Sequence, residues 1–281
     1  MRLRSLLFVP GDRPDRMEKA LGSGADALIL DLEDAVAAAA RPKARQEVAA
    51  FLERTPRDVK LFVRVNPLDT ADHTADLEAI AHAKPNAIVL PKSEGAASVE
   101  TLAGHMAART LFVPILPIAT ETPAAIFQLG SYASVAHRLC GLTWGAEDLP
   151  AAIGAATSRE EDGRYTPPYE LARSLTLFGA AAAGVAPIET VFPAFRDADG
   201  LAAYVVRAAR DGFTGMMAIH PNQVAAINAA FTPSEAAVAH ARAVVEAFAA
   251  TPDAGVLQLD GKMIDAPHVK QAQRLLATLE V

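Results

Sequence analysis

The sequence predicts an α/β protein, a (β/α)8 TIM barrel with a C-terminal helical extension. Eight short apolar runs recur along the chain, each followed by polar or Gly/Pro residues and then by a helical pattern. The runs are apolar on both faces, which suits strands of a parallel sheet covered by helices and does not suit a half-solvated antiparallel sheet. Strand then helix, eight times over, is the rhythm of a closed parallel barrel. A chain of 281 residues accommodates one such barrel, typically of about 250 residues, with an appendage.

In chain order the runs are SLLFV (5–9), ALILD (27–31), KLFVRV (60–65), AIVLP (87–91), LFVPILPIA (111–119), LCGLTW (139–144), PIETVF (187–192) and GMMAIH (215–220). A helix is expected over 13–21, where Pro14 suits a first turn and Gly22 and Gly24 act as stops, and another over 201–210, ended by Asp211 and Gly212. The polar segment REEDGRYTPP (159–168) has neither period and reads as a long loop after the sixth strand, lying over the barrel mouth or making an ordinary surface excursion. Beyond the eighth run, helices are expected over 234–250 and from 268 to the end, with GVLQLDGKMIDAP between them as a turn region. The expected division is a barrel domain over 1–232 and a helical extension over 233–281.

A net charge of −7 without a basic run or a basic stripe interleaved with aromatics argues against nucleic acid as a partner. The single cysteine, Cys140, excludes an intrachain disulfide or a cysteine-based zinc cluster and reads as a small buried hydrophobe. The N-terminal apolar run is shorter than the roughly 7 to 15 residues of a signal peptide, and no stretch reaches the ~18 apolar residues of a membrane span. A soluble, cytoplasmic protein is therefore expected.

Charged residues gather where the strands end: Asp31, Glu33 and Asp34 after the second, Arg64 and Asn66 at the third, Lys92 after the fourth, Glu121 after the fifth, and Glu147 and Asp148 after the sixth. Glu189 within the seventh and His220 at the eighth complete the set. Barrel chemistry sits at the carboxyl ends of strands, so a ring of such groups suggests a site. Glu121 and Asp148, at the ends of neighbouring strands, can converge on one magnesium ion, which takes few protein carboxylates and keeps water or substrate oxygens. Their competing reading is helix capping. Arg64 is expected either to pair with Glu33 or Asp31 or to donate to a substrate carboxylate or enolate oxygen. Lys92 is expected to pair with a strand-end acid, and His220 to be a structural histidine before a proline turn.

The motifs FVPGDRPDR, LILDLEDAV, VRVN, VLPKSE, ATETP, WGAEDL, AIHPNQV and GKMIDAPH, in this order, resemble the citrate lyase β-subunit-like family of the HpcH/HpaI aldolase superfamily, which includes malyl-CoA and citramalyl-CoA lyases. The resemblance covers the chain from Ser5 to about Ala272. It implies a homotrimer or hexamer, magnesium held by Glu121 and Asp148, and substrate bound by Arg64 and Glu121. Asp265, from the extension packed on a neighbouring subunit, is implied to be the catalytic acid or base on the acetyl carbon beside Arg64. The implied reaction is cleavage of a 3-hydroxyacyl-CoA such as malyl-, citramalyl- or citryl-CoA to acetyl-CoA and an oxo acid, its reverse, or thioester hydrolysis. Arg13, Arg16 and Lys19 are candidates for the CoA phosphates. Glu189 stands where the family more often has Asp. Two alternatives remain: a pyruvate-type 2-oxo-acid aldolase without CoA, and a non-catalytic subunit or scaffold that binds an acyl carrier partner.

Overall fold

In the computed structural model, which describes residues 2–54, 59–252 and 254–279, eight strands form one parallel sheet. They are β1 (Ser5–Pro10), β2 (Ala27–Asp31), β3 (Lys60–Arg64), β4 (Ala87–Leu90), β5 (Ile115–Pro117), β6 (Leu142–Thr143), β7 (Pro187–Glu189) and β8 (Gly215–Ala218), in the order β5-β4-β3-β2-β1-β8-β7-β6. The two ends of that order meet through parallel bridges, Ile115 to Leu139 and Ile118 to Thr143, and the Ala119 N–H donates to the Thr143 carbonyl at 2.9 Å. The sheet thus closes into a barrel.

Around it lie α1 (Pro14–Leu21), α2 (Arg41–Arg54), α3 (Ala71–Ile80), α4 (Ala96–Ala107), α5 (Pro123–Ile126), α6 (Leu149–Ile153), α7 (Pro167–Ala183), α8 (Ala198–Asp211) and α9 (Val224–Ala230). Strand five is shorter than its apolar run suggested, because Leu111 to Val113 approach it outside any strand and Phe112 faces solvent. No helix among the described residues is long and apolar enough to cross a membrane.

Alternation along each strand decides what faces the barrel interior. Leu6, Ala27, Ile29, Phe62, Ala87, Val89, Leu116, Ile118, Ile188 and Met217 form one buried cluster, with Phe8 and Cys140 packed against it. Burial of each large member stabilises the fold by about 1.5 to 3 kcal/mol. Two positions beyond Ile29 and Phe62 the same inward series reaches Asp31 and Arg64, aligned across β2 and β3. The apolar filling therefore gives way to charge at the carboxyl end of the barrel.

Residues 3–229 make up this barrel unit, and the chain from Ala230 onward, joined by Arg2, makes up a second compact unit. The break falls three residues before the expected boundary. The second unit contains α10 (Glu235–Ala250) and α11 (Ala266–Ala277), with Ala241, Val244, Ile264 and Ala272 in its core. Between the helices, the expected turn region is an antiparallel hairpin, β9 (Val256–Leu259) with β10 (Lys262–Asp265). Asp260 and Gly261 turn it with φ of 49° and 76°, the left-handed pair that a two-residue hairpin turn requires.

Candidate active site

Arg64 is buried at the end of β3, and the register of β2 sets Asp31 beside it. Its Nε donates to Asp31 Oδ1 at 2.7 Å and its Nη2 to Asp31 Oδ2 at 2.6 Å, a two-pronged pair that fixes the guanidinium plane. Backbone N–H groups of Glu33 and Ala35 also donate to Asp31, each at 3.0 Å, so this carboxylate is fully engaged in holding Arg64. Phe8 lies under the guanidinium, 4.8 Å from Cζ to ring centre. Nη1 reaches Glu33 Oε2 at 3.0 Å and Asp34 at 3.6 Å. Both partners suggested by the sequence are present, with Asp31 the principal one.

Lys92 links the remaining acids. Its backbone has φ of 49°, a conformation that costs a residue with a side chain about 1 to 2 kcal/mol. From there its N–H donates to Glu121 Oε2 at 2.6 Å, while its ammonium lies 2.8 Å from Glu33 Oε1 and 3.8 Å from Asp148 Oδ1. The alternative of helix capping fails at both acids. Thr122, not Glu121, caps α5 by accepting the Ala125 N–H, and Asp148 precedes α6 without making a side-chain cap bond. Gly145 provides the clearance for Glu121: a Cβ there would lie 2.7 Å from Glu121 Cγ and 3.1 Å from Oε1.

Five carboxylates, Asp31, Glu33, Asp34, Glu121 and Asp148, surround two cations, Arg64 and Lys92. The excess negative charge appears in the titration of its members. Burial, with the charges of Asp148 and Glu33, pushes the Glu121 carboxyl up to about 8, against the lowering effects of the Lys92 N–H and Arg64. Glu33 is also raised, chiefly by burial, although Arg64 and Lys92 oppose it. Burial alone would lower the Lys92 ammonium, but Glu33, Glu121 and Asp148 hold it above its ordinary value. An added cation would relieve this conflict, and an all-oxygen donor set suits a hard divalent ion. Among the described residues no group of three or more His, Cys, Asp or Glu forms a ready-made metal cage. Magnesium does not require one, since one or two carboxylates with water and substrate oxygens suffice.

Glu189 does not belong to this cluster. Ile188 faces the barrel interior, so alternation turns Glu189 outward, where it is completely buried. It accepts from Trp144 Nε1 at 2.5 Å, Arg173 Nε of α7 at 2.7 Å and the Thr190 N–H at 2.8 Å, and Arg173 continues to Asp211 at 2.8 Å. This is a structural network, and Arg173 carried no signal in the sequence beyond its place on a helix. Asn66 is likewise structural, since its side chain donates to the Leu32 carbonyl and to Asp76. His220 accepts the Asn222 N–H and stacks on Phe195, as expected of a histidine before a proline turn.

Arg13, Arg16 and Lys19 are exposed at and along α1, and Arg13 is bonded to Asp15 at 3.1 Å. At 1.5 Å per residue, Lys19 lies about 9 Å farther along the helix than Arg13. Asp265 ends β10 in the second unit, against His268. The long loop after strand six is ordered through Tyr165, which is buried against Trp144 with ring centres 5.1 Å apart. Together with α8 it walls a cavity of 480 Å³ lined by Arg159, Tyr165, Phe192, Tyr204 and Arg207 among others, and none of the strand-end acids lines it.

Fold and site together define a parallel barrel whose carboxyl-end mouth holds an anchored arginine among acids suited to a small cation. The chain matches the HpcH/HpaI aldolase/citrate lyase family over residues 4–221 and belongs to that family. A (3S)-malyl-CoA thioesterase of Cereibacter sphaeroides is 37% identical over 284 residues, covering 99% of this chain and 94% of the relative. A citrate lyase subunit beta-like protein of Mycobacterium tuberculosis is 36% identical over 271 residues, covering 96% of this chain and 93% of the relative. Among solved structures, Mycobacterium tuberculosis CitE in complex with magnesium, acetoacetate and coenzyme A superposes with a TM-score of 0.84 at 33% identity, covering 99% of this chain and all of the other.

Proposed function

We propose that this protein is a magnesium-dependent carbon–carbon lyase acting on a 3-hydroxyacyl-CoA thioester, with thioester hydrolysis as an accompanying activity. The observation that carries the reading is the pair Glu121 and Asp148, which the barrel brings to one lysine, with Glu121 raised chiefly by burial and further by the charge of Asp148. These two carboxylates would hold the ion, and magnesium, when bound, supplies positive charge beside the substrate's hydroxyl and carboxylate oxygens. The relatives support the same reading, since one is a malyl-CoA thioesterase and a close structural neighbour carries magnesium, acetoacetate and coenzyme A.

In the cleavage direction the substrate hydroxyl loses its proton to water and the bond between the α and β carbons breaks, releasing an oxo acid. The electron pair of that bond passes to the thioester carbonyl oxygen. Arg64, held rigid by Asp31, donates to this enolate oxygen through N–H groups that Asp31 does not occupy. Asp265 of a neighbouring copy then returns a proton to the carbon, giving acetyl-CoA. Lys92 holds Glu33 and Asp148 in place by its charge. Arg13, Arg16 and Lys19 are the cations we assign to the CoA phosphates, with Arg13 exchanging Asp15 for phosphate.

Assembly into a homo-oligomer, a trimer or hexamer, is part of this proposal. An apolar stripe on α7, with Leu171 and Phe178 exposed, and the exposed Phe127 support it as surfaces suited to burial between copies. The test is a panel of malyl-, citramalyl- and citryl-CoA with magnesium or with chelator, read for oxo acid and free CoA. Magnesium-dependent release of oxo acid is expected. Failure to bind acetyl-CoA at millimolar concentration, with aldol cleavage of free 2-oxo acids, would replace the proposal with a CoA-independent aldolase.

A further inference from the structure

We propose that His268 is the positioning residue for Asp265, holding its carboxylate by a proton on Nδ1 and connecting it to solvent. The inference rests on the role assigned above to Asp265 as the acid that returns a proton to the substrate carbon.

Asp265 closes β10 opposite Val256, and the preceding Ile264 is buried in the core of the second unit, so the acid stands on an anchored strand. His268 lies one turn into α11. Its Nδ1 is 3.1 Å from the Asp265 backbone nitrogen and 2.5 Å from Asp265 Oδ1. The longer contact is one half of a capping box at the helix start, whose other half is the His268 backbone N–H donating to the Asp265 side chain; only an unprotonated Nδ1 could accept the Asp265 N–H. That role alone leaves the shorter contact unexplained. An imidazole nitrogen is either a donor or an acceptor at one time, and two lone pairs 2.5 Å apart repel. A proton must therefore lie between Nδ1 and Oδ1, and the bond it makes is a charge-assisted one that fixes the carboxylate.

The chemical consequence concerns how the acid is reset. When Asp265 gives its proton to the enolate carbon it becomes a carboxylate, which the Nδ1–H of His268 stabilises. The His268 side chain is 46% exposed and that of Asp265 is 33% exposed. Resetting the pair takes one proton from a water molecule that reaches it after product leaves, and no other co-reactant is needed. Without the imidazole the carboxyl would keep only the His268 backbone N–H of the capping box, and the fraction of bound substrate meeting it in a productive pose would fall.

The experiment uses the full chain with magnesium and acetyl-CoA in D2O, and NMR follows deuterium entering the acetyl methyl group, alongside kcat and KM for malyl-CoA cleavage. Asp265→Asn should slow both reactions at least ~100-fold. His268→Ala should lower kcat by about 10- to 30-fold with KM within about twofold. His268→Asn, whose amide can donate near the Nδ1 position, should recover to within about threefold of wild type. A second readout needs no substrate: the nitrogen NMR signals of His268 should show the Nδ1-protonated tautomer in the wild type and its loss in Asp265→Asn. If Asp265→Asn is impaired while His268→Ala matches wild type, or if His268→Asn is as impaired as His268→Ala, the positioning role is wrong and the lyase reading stands. An Nε2-protonated neutral tautomer in the wild type also overturns it. If Asp265→Asn matches wild type, or the wild type neither exchanges nor cleaves, the reading on which the inference rests has failed.

Discussion

Replacing Glu121 with Gln separates the electrostatic account of the site from one in which this acid is merely buried. In the metal-free protein the Glu121 carboxyl is pushed up to about 8 from an ordinary 4.5, so the folded state keeps a proton that the unfolded state releases. The proton's contribution to stability is full below about 4.5 and is lost as the pH rises through about 8. At about 1.36 kcal/mol per pH unit the loss is on the order of 4 to 5 kcal/mol. Gln carries no charge, so Glu121→Gln should remove this slope, matching wild type near pH 5 and exceeding its stability near pH 8 when chelator is present. Magnesium must displace the same proton. Wild-type affinity should therefore rise about tenfold per pH unit between roughly 6 and 8, with ~0.9 proton released per ion at pH 7. Denaturant unfolding with chelator, and titration calorimetry in two buffers of different ionisation heat, measure the two effects. A flat stability profile, or ion binding that releases no proton, would refute the reasoning.

Asp148→Ala should weaken magnesium binding at least ~100-fold and abolish turnover, while stability changes by under about 1 kcal/mol, because this side chain is partly exposed and caps nothing; calorimetry and thermal unfolding check both. Gly145→Ala places a methyl group 2.7 Å from Glu121 Cγ, so the acid must move, with about 1 to 3 kcal/mol lost and magnesium affinity down about tenfold. Glu189→Gln should cost about 3 kcal/mol by leaving the buried Arg173 short of a charge, yet shift magnesium affinity less than about twofold. An effect on metal binding as large as that of Asp148→Ala would return Glu189 to the site.

The barrel was legible because eight doubly apolar runs admit few other folds, and chain order alone puts Asp31 and Arg64 at strand ends; that alternation turns both into the mouth is seen from the inward-facing cluster and the strand register. Strand lengths were less legible, since apolar approach segments such as Leu111 to Val113 read like strands. The ring of strand-end charges was partly misleading at Glu189. One step of alternation from Ile188 assigns that residue to the helix layer, and applying the same parity rule to strand seven would have removed it. The hairpin also had a signal, Asp260-Gly261 between the alternating stretches VLQL and KMID, the turn dipeptide of a two-residue hairpin. By contrast, the left-handed turn at Lys92 and the space left by Gly145 depend on where Glu121 sits in three dimensions. Neither composition nor spacing carries that information.

The central claim is that the carboxylates of Glu121 and Asp148 share one divalent cation at the barrel mouth. Anomalous diffraction from crystals equilibrated with Mn²⁺ tests it most directly. The account predicts a single strong peak within about 2.0 to 2.3 Å of an oxygen from each of the two side chains, absent from the Asp148→Ala protein. A peak at some other group of residues, or none at a saturating ion concentration, would contradict it.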